Sequence, residues 1–198
     1  MLGYINAHAV LFDVGAFVSP QTGNLINMAI RLAQGDMQGL IITLLIFGGF
    51  FLGAFLATYV LAKSKNIKMG FYIQWSVFFI PILINFLFLD SIALRLMIFN
   101  YSFVSGAALC FFRKIGDIEV NNSIVTGNMR FMGNALFEVT FFKNRKKRAI
   151  FWAFTLATFL FFLGSLVMAL LSDLGRNNAL LVLVAIGTLP YLIGLKLR

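Results

Sequence analysis

The chain contains one stretch written twice. DVGAFVSPQTGNLINMAIRL, from Asp13, aligns without a gap to DIEVNNSIVTGNMRFMGNAL, from Asp117, at an offset of 104 positions. Each copy carries the tripeptide Thr-Gly-Asn, at Thr22, Gly23 and Asn24 and again at Thr126, Gly127 and Asn128, and each opens on an aspartate. Further on, FFLGAF (Phe50 to Phe55) is echoed by FFLGSL (Phe161 to Leu166), so the duplication runs on into the next apolar segment. An internal repeat constrains a fold more than any single motif, because both copies must satisfy the same local packing. The chain therefore reads as one domain of two halves, about 1–90 and about 91–198.

Hydrophobic residues make up 61% of the chain, charged ones 12%, and there are 24 phenylalanines, which leaves too little polar surface for a soluble globule. The expected class is an all-α integral membrane protein. The single Cys110 rules out an intrachain disulfide and reads as a small buried hydrophobe. His8, the only histidine, has no counterpart in the second half and by itself makes no metal site. No cleavable signal is read at the amino terminus, where Asn6, His8 and Asp13 interrupt the apolar run and no basic region precedes it.

A crossing helix needs about 20 apolar residues for about 30 Å of hydrocarbon. Five segments qualify: about 40–62, 71–89, 92–112, 149–171 and, tolerating Pro190, 179–195. The stretch Leu25 to Ala33 would rise only about 14 Å, half a bilayer. The second copy is rich in polar groups (Asn121, Asn122, Ser123, Asn128, Arg130, Asn134, Glu138), which should face protein or water. Arg130 and Glu138, two helical turns apart, are poorly placed to pair.

Lys and Arg gather in cytoplasmic loops. Lys63, Lys65 and Lys68, then Arg113 and Lys114, then Lys143 to Arg148 form three basic clusters, while the loops at Asp36, Asp90 and Asp173 carry few cations; Lys196 and Arg198 put the carboxyl terminus inside. The segment between Lys114 and Lys143 then leaves and re-enters on one face. Each half is expected to hold three crossings and one re-entrant half-helix, an odd number that makes the repeats inverted. By the 104-position offset most of the first helix is missing, so a truncated start is expected.

At the Thr-Gly-Asn turns, glycine allows a tight or left-handed backbone, asparagine caps a helix and threonine offers a hydroxyl. The exposed N–H groups and positive dipole ends of two such half-helices favour a small polar or anionic solute. The candidate pore residues are Thr22, Gly23, Asn24, Thr126, Gly127 and Asn128, with Asp13 and Asp117 at the entrances or simply at the interface. The expected function is a channel or secondary transporter in the lipid bilayer. The rival class is a non-transporting membrane protein that contacts lipid or an assembly partner, and the turns would then only stitch helices together. Gly49, Gly53 and Ala57 form a close-packing stripe, either internal or for a homo-oligomer contact. The Lys143 to Arg148 run is a topology anchor and secondarily a site for anionic headgroups, not for nucleic acid. No metalloprotease motif or Gly-x-Ser-x-Gly turn is present, and Asp117 and Glu119 would not share a helix face, so no enzyme and no cofactor are expected.

The run GYINAHAVLFDVGAFVSPQTGN, from Gly3 to Asn24, together with the second VTGN at Val125, resembles the YoaK family of bacterial multipass membrane proteins, usually assigned about six helices and largely of unknown function. The resemblance covers essentially the whole chain. It implies the bacterial cytoplasmic membrane and supplies no substrate. Members commonly carry more hydrophobic sequence before the Gly-Tyr pair, and Asn6 falls where an acidic residue is common.

Overall fold

Wherever its residues are described, each apolar span expected above is largely helical. The structure, a computed structural model, describes residues 1–13, 15–64, 67–88, 94–121 and 124–196, with side chains left aside at 67–70 and 190–196. Lys65, Asp90, Asn122, Ser123 and Arg198 lie outside the described residues, as do the side chains of Lys68, Pro190 and Lys196.

The first half comprises α1 (Leu2–His8), continued by a π-helical turn (Ala9–Asp13), then α2 (Gln21–Gln34), α3 (Met37–Lys63) and α4 (Ile67–Leu87). The second comprises α5 (Leu94–Phe111), a hairpin of β1 (Lys114–Ile115) and β2 (Ile118–Glu119), then α6 (Val125–Phe141), α7 (Lys146–Leu170), a 3-10 turn (Ser172–Leu174) and α8 (Arg176–Lys196). The hairpin departs from a purely helical reading of the Lys114 to Glu119 stretch. Gly116, at φ 60°, supplies the left-handed position of a two-residue turn, and Val120 N–H to the Arg113 carbonyl extends the pairing.

Among the described residues three helices are long and apolar enough to cross a membrane: α3, α5 and α7. Shorter apolar stretches lie at Phe71–Leu87 in α4 and Arg176–Leu189 in α8. By contrast α2, at 14 residues, rises about 21 Å and α6, at 17, about 26 Å, both short of about 30 Å of hydrocarbon. Helix α2 is longer than the apolar stretch chiefly because it starts at Gln21, four residues before Leu25; Gly35, with a left-handed φ of 71°, ends it. Asp36 then starts α3 by accepting from Gly39 N–H at 2.9 Å.

The helices pack in matched pairs. Helix α2 lies on α3 and α6 on α7; α3 lies on α5 and α7 on α1; α4 lies on α5, and α8 on α1 and α4. Exchanging the halves leaves these partners unchanged, although α1 touches α8 far less extensively than α4 touches α5, and α3 also lies against α4. Atomic detail follows the same exchange: a Cβ on Gly106 of α5 would strike the Phe50 carbonyl of α3, and a Cβ on Gly3 of α1 would strike the Phe161 carbonyl of α7. Phe50 and Phe161 are the first residues of the repeated FFLG motif. Gly49 and Gly53 face α5 at equally short range, so the stripe they form with buried Ala57 is internal.

The core holds Tyr4, Ile5, Phe78, Ile82, Met97, Tyr101, Leu180 and Leu183, drawn from α1, α4, α5 and α8. Tyr4 donates to the Ala179 carbonyl at 2.7 Å, tying α1 to α8, and Asn85 donates to the Met97 carbonyl at 3.2 Å, tying α4 to α5. Helices α2 and α6 contribute little to that core. Leu25, Ile26, Leu32, Met129, Leu136 and Phe137 on them are exposed.

Candidate functional site

The repeated asparagines do the same job in both halves. Asn24 Nδ2 donates to the Phe17 carbonyl at 3.1 Å, and Asn128 Nδ2 donates to the Asn121 carbonyl at 2.6 Å, each reaching back seven residues. Asn128 Oδ1 also accepts from the Asn121 N–H at 3.2 Å. Both side chains are buried. The sequence suggested helix caps, but Pro20 and Ile124 occupy the cap positions and the asparagines sit a turn inside. Each one clamps the chain entering its helix, closing a polar backbone group that would otherwise stay unsatisfied.

The neighbouring residues are placed differently from the asparagines. Thr22 and Thr126 are exposed. Gly23 and Gly127 have no left-handed backbone, and no atom lies within 4 Å of a Cβ built on Gly23. At Gly127 a Cβ would come within 3.1 Å of the Asn121 side-chain Nδ2, so glycine there leaves room for that side chain.

The two aspartates part company. Asp117 is exposed on the hairpin turn. Asp13 ends the π turn with its side chain fully buried, where its Oδ1 accepts from Arg176 Nη2 at the start of α8, and its Oδ2 lies 3.4 Å from His8 Nδ1. The spacing of five between His8 and Asp13 matches the i to i+5 period of a π turn, which brings them to one side. Arg176 also donates to Met97 Sδ at 3.1 Å. The His8 ring is held between Phe12, 5.1 Å away, and Tyr101, 5.5 Å away. Next to this cluster Asn6 accepts from the Val18 and Ser19 N–H groups, both at 3.1 Å, and donates to Ser19 Oγ at 2.5 Å. It fixes the loop between the π turn and α2 by neutral hydrogen bonds.

Arg176 and His8 were not among the candidates read from sequence. The available signal was one histidine and one aspartate inside an apolar run, and an arginine opening the last apolar span; only folding shows that they meet.

The second half has a cleft instead. An open cavity of about 950 Å³ lies between the end of α5, the hairpin, α6 and α7, with Arg113, Asp117, Glu119, Asn134, Glu138 and Lys147 among its polar lining. Arg113 pairs with Glu119 at 2.9 Å, and Glu138 accepts from Asn144 at 3.4 Å. Arg130 lies over the Phe131 ring instead of reaching Glu138. Its apolar wall includes Phe131 stacked on Phe154 with centroids 5.0 Å apart. Among the described residues no three metal-ligating side chains converge.

The chain belongs to a protein family of unknown function, DUF1275, whose family profile matches residues 1–193. Neither the curated proteins nor the solved structures contain a match to it.

Proposed function

Starting from membership of that family, we propose that the protein is a multipass membrane protein of the bacterial cytoplasmic membrane, acting as a channel or secondary transporter for a small polar or anionic solute. The observation that carries this reading is the exchange of helix partners between the halves, each of which holds one short helix clamped by a buried asparagine. In this reading α3, α4, α5, α7 and α8 cross the bilayer, and α2 and α6 enter from opposite faces and return. The second half makes three crossings, and the first matches them with α3, α4 and, in the place of α5, the short α1, so the repeats are inverted in this reading, with the carboxyl terminus cytoplasmic. Inverted repeats put paired discontinuous elements at a common depth, where their backbone faces a cavity and not lipid.

The buried cluster of His8, Asp13 and Arg176 supports the same reading. Charges inside a bilayer are costly and mark solute or ion paths more often than fold stability. Asn24 and Asn128 hold the entering loops, and the first-turn N–H groups of α2 and α6, near Thr22, Gly23, Thr126 and Gly127, supply the solute's polar contacts.

Proteoliposomes tested with acetate, phosphate and glycerol should show flux of at least one solute, lost when Asn24 and Asn128 are both changed to Ala in protein that still elutes as a folded species. Single cysteines replacing Asp117 and Arg145, in a Cys110→Ala background, should be labelled by an impermeant thiol reagent from the same side. Flux no greater than in empty vesicles, together with labelling from opposite sides, would overturn the proposal.

A further inference from the structure

We propose that His8 is a proton-binding site, with Asp13 as the group that pairs with the loaded imidazole and Arg176 as its competitor for that carboxylate. The inference rests on the transport reading where it names the proton as driving ion, but its physical basis is the cluster itself.

His8 and Asp13 are fully buried, whereas the Arg176 side chain is 30% exposed. Asp13 uses Oδ1 for Arg176, while Oδ2 and both ring nitrogens of His8 are buried without a hydrogen-bond partner among the described residues. Unpaired buried polar atoms are costly, and here the free acceptor and the free nitrogen face each other at 3.4 Å. A proton taken from water on the Arg176 side adds to the ring and makes an imidazolium, whose Nδ1–H donates to Oδ2. No covalent bond within the protein breaks. The cluster goes from net neutral to one positive charge, and Arg176, the only member with access to water, is the one able to leave.

The titratable and charged groups at the ring or on its partners come from four elements. They are the carboxylate of Asp13 on the π turn, the guanidinium of Arg176 on α8, the hydroxyl of Tyr101 on α5 and, farther along α1, the hydroxyl of Tyr4, already donating to Ala179. Phe12 and Tyr101 hold the ring so that Nδ1 stays toward Asp13. A neighbouring carboxylate favours the charged imidazole and a neighbouring guanidinium opposes it, so proton affinity depends on which partner Asp13 holds.

His8 is the only histidine, so histidine-labelled protein in lipid nanodiscs gives a single imidazole signal by nitrogen NMR. The wild-type signal is followed in buffers from about pH 4 to 9, and the ring should pass from its neutral to its protonated form. Asp13→Asn should weaken proton binding by roughly tenfold, and Arg176→Gln should strengthen it by a similar factor. A ring that keeps one protonation state across that range, or a midpoint unmoved by either substitution, would overturn the proposal. The wild-type titration needs neither variant to fold. It also needs no solute, so a titrating His8 with no flux leaves the proton site standing and removes the transport reading, and a silent His8 with pH-independent flux does the reverse.

Discussion

In the first half Asp13 is sealed between Arg176 and His8, while in the second Asp117 stands on a hairpin turn in water, although both open the same repeated stretch. The difference begins one element earlier. Chain leaving α1 continues through a π turn packed against α5, whereas chain leaving α5 turns out through β1 and β2. Four to eleven residues after each aspartate the halves converge again on the same asparagine clamp. The duplication thus keeps what the backbone requires, the clamps and the close helix crossings, and lets the charged groups diverge. Chemistry specific to one half is where function is to be sought.

The helix crossings give the largest expected effect. Gly53→Leu should yield little folded protein, because a Cβ there already collides with the Phe103 carbonyl, and Gly53→Ala should cost about 1–3 kcal/mol of overpacking strain. At the matching position, Gly164→Ala meets its nearest atom, Tyr4 N, at 3.2 Å and should cost less than about 1 kcal/mol. Thermal unfolding in detergent reads both; equal losses would mean that the two crossings are more alike than the contacts indicate.

Next comes the aspartate pair. Asp13→Asn strips the partly buried Arg176 of its carboxylate, a loss of about 3–5 kcal/mol for a fully buried pair, reduced to about 1–3 kcal/mol because Arg176 reaches solvent. Asp117→Asn should stay within about 0.5 kcal/mol of wild type, as surface changes do. A large effect at Asp117 would show that the cleft around it is a structural joint.

The clamps should separate by less. Asn128→Ala loses two bonds to Asn121, at 2.6 and 3.2 Å, and Asn24→Ala loses one to Phe17 at 3.1 Å and a longer one to Gln21 at 3.4 Å; at about 1 kcal/mol for a well-formed bond and less for the long one, the second-half variant should be slightly the less stable in a denaturation series. The smallest change concerns the turns between the short and long helices. Gly35 holds φ 71° freely, while Lys143 holds φ 51° against its own Cβ, so Lys143→Gly should raise stability by about 1 kcal/mol. A fall would mean that the lysine side chain contributes more than its backbone strain costs.

The five apolar helices were legible in the sequence because each apolar run covers most of its helix; α3 exceeds the expected 40–62 by three residues at its start and one at its end. The glycine stripe was legible as a packing face, and folding decided that it faces α5 and not a second chain. The asparagines were legible as paired elements but misassigned as caps, since their partners lie seven residues back and no local pattern announces that distance. The hairpin was missed because Lys114 to Glu119 is too short for a period-two signal to show.

What the sequence determined by itself is the helical class, the duplication and the pairing of short helices with long ones, since these follow from composition, periodicity and repetition along the chain. Only the tertiary structure decided that His8 and Asp13 of the first half meet Arg176, which lies 163 residues after Asp13. Hydrophobic burial fixes which faces of α1 and α8 meet, and a contact set by that packing leaves no mark at any fixed spacing in the sequence.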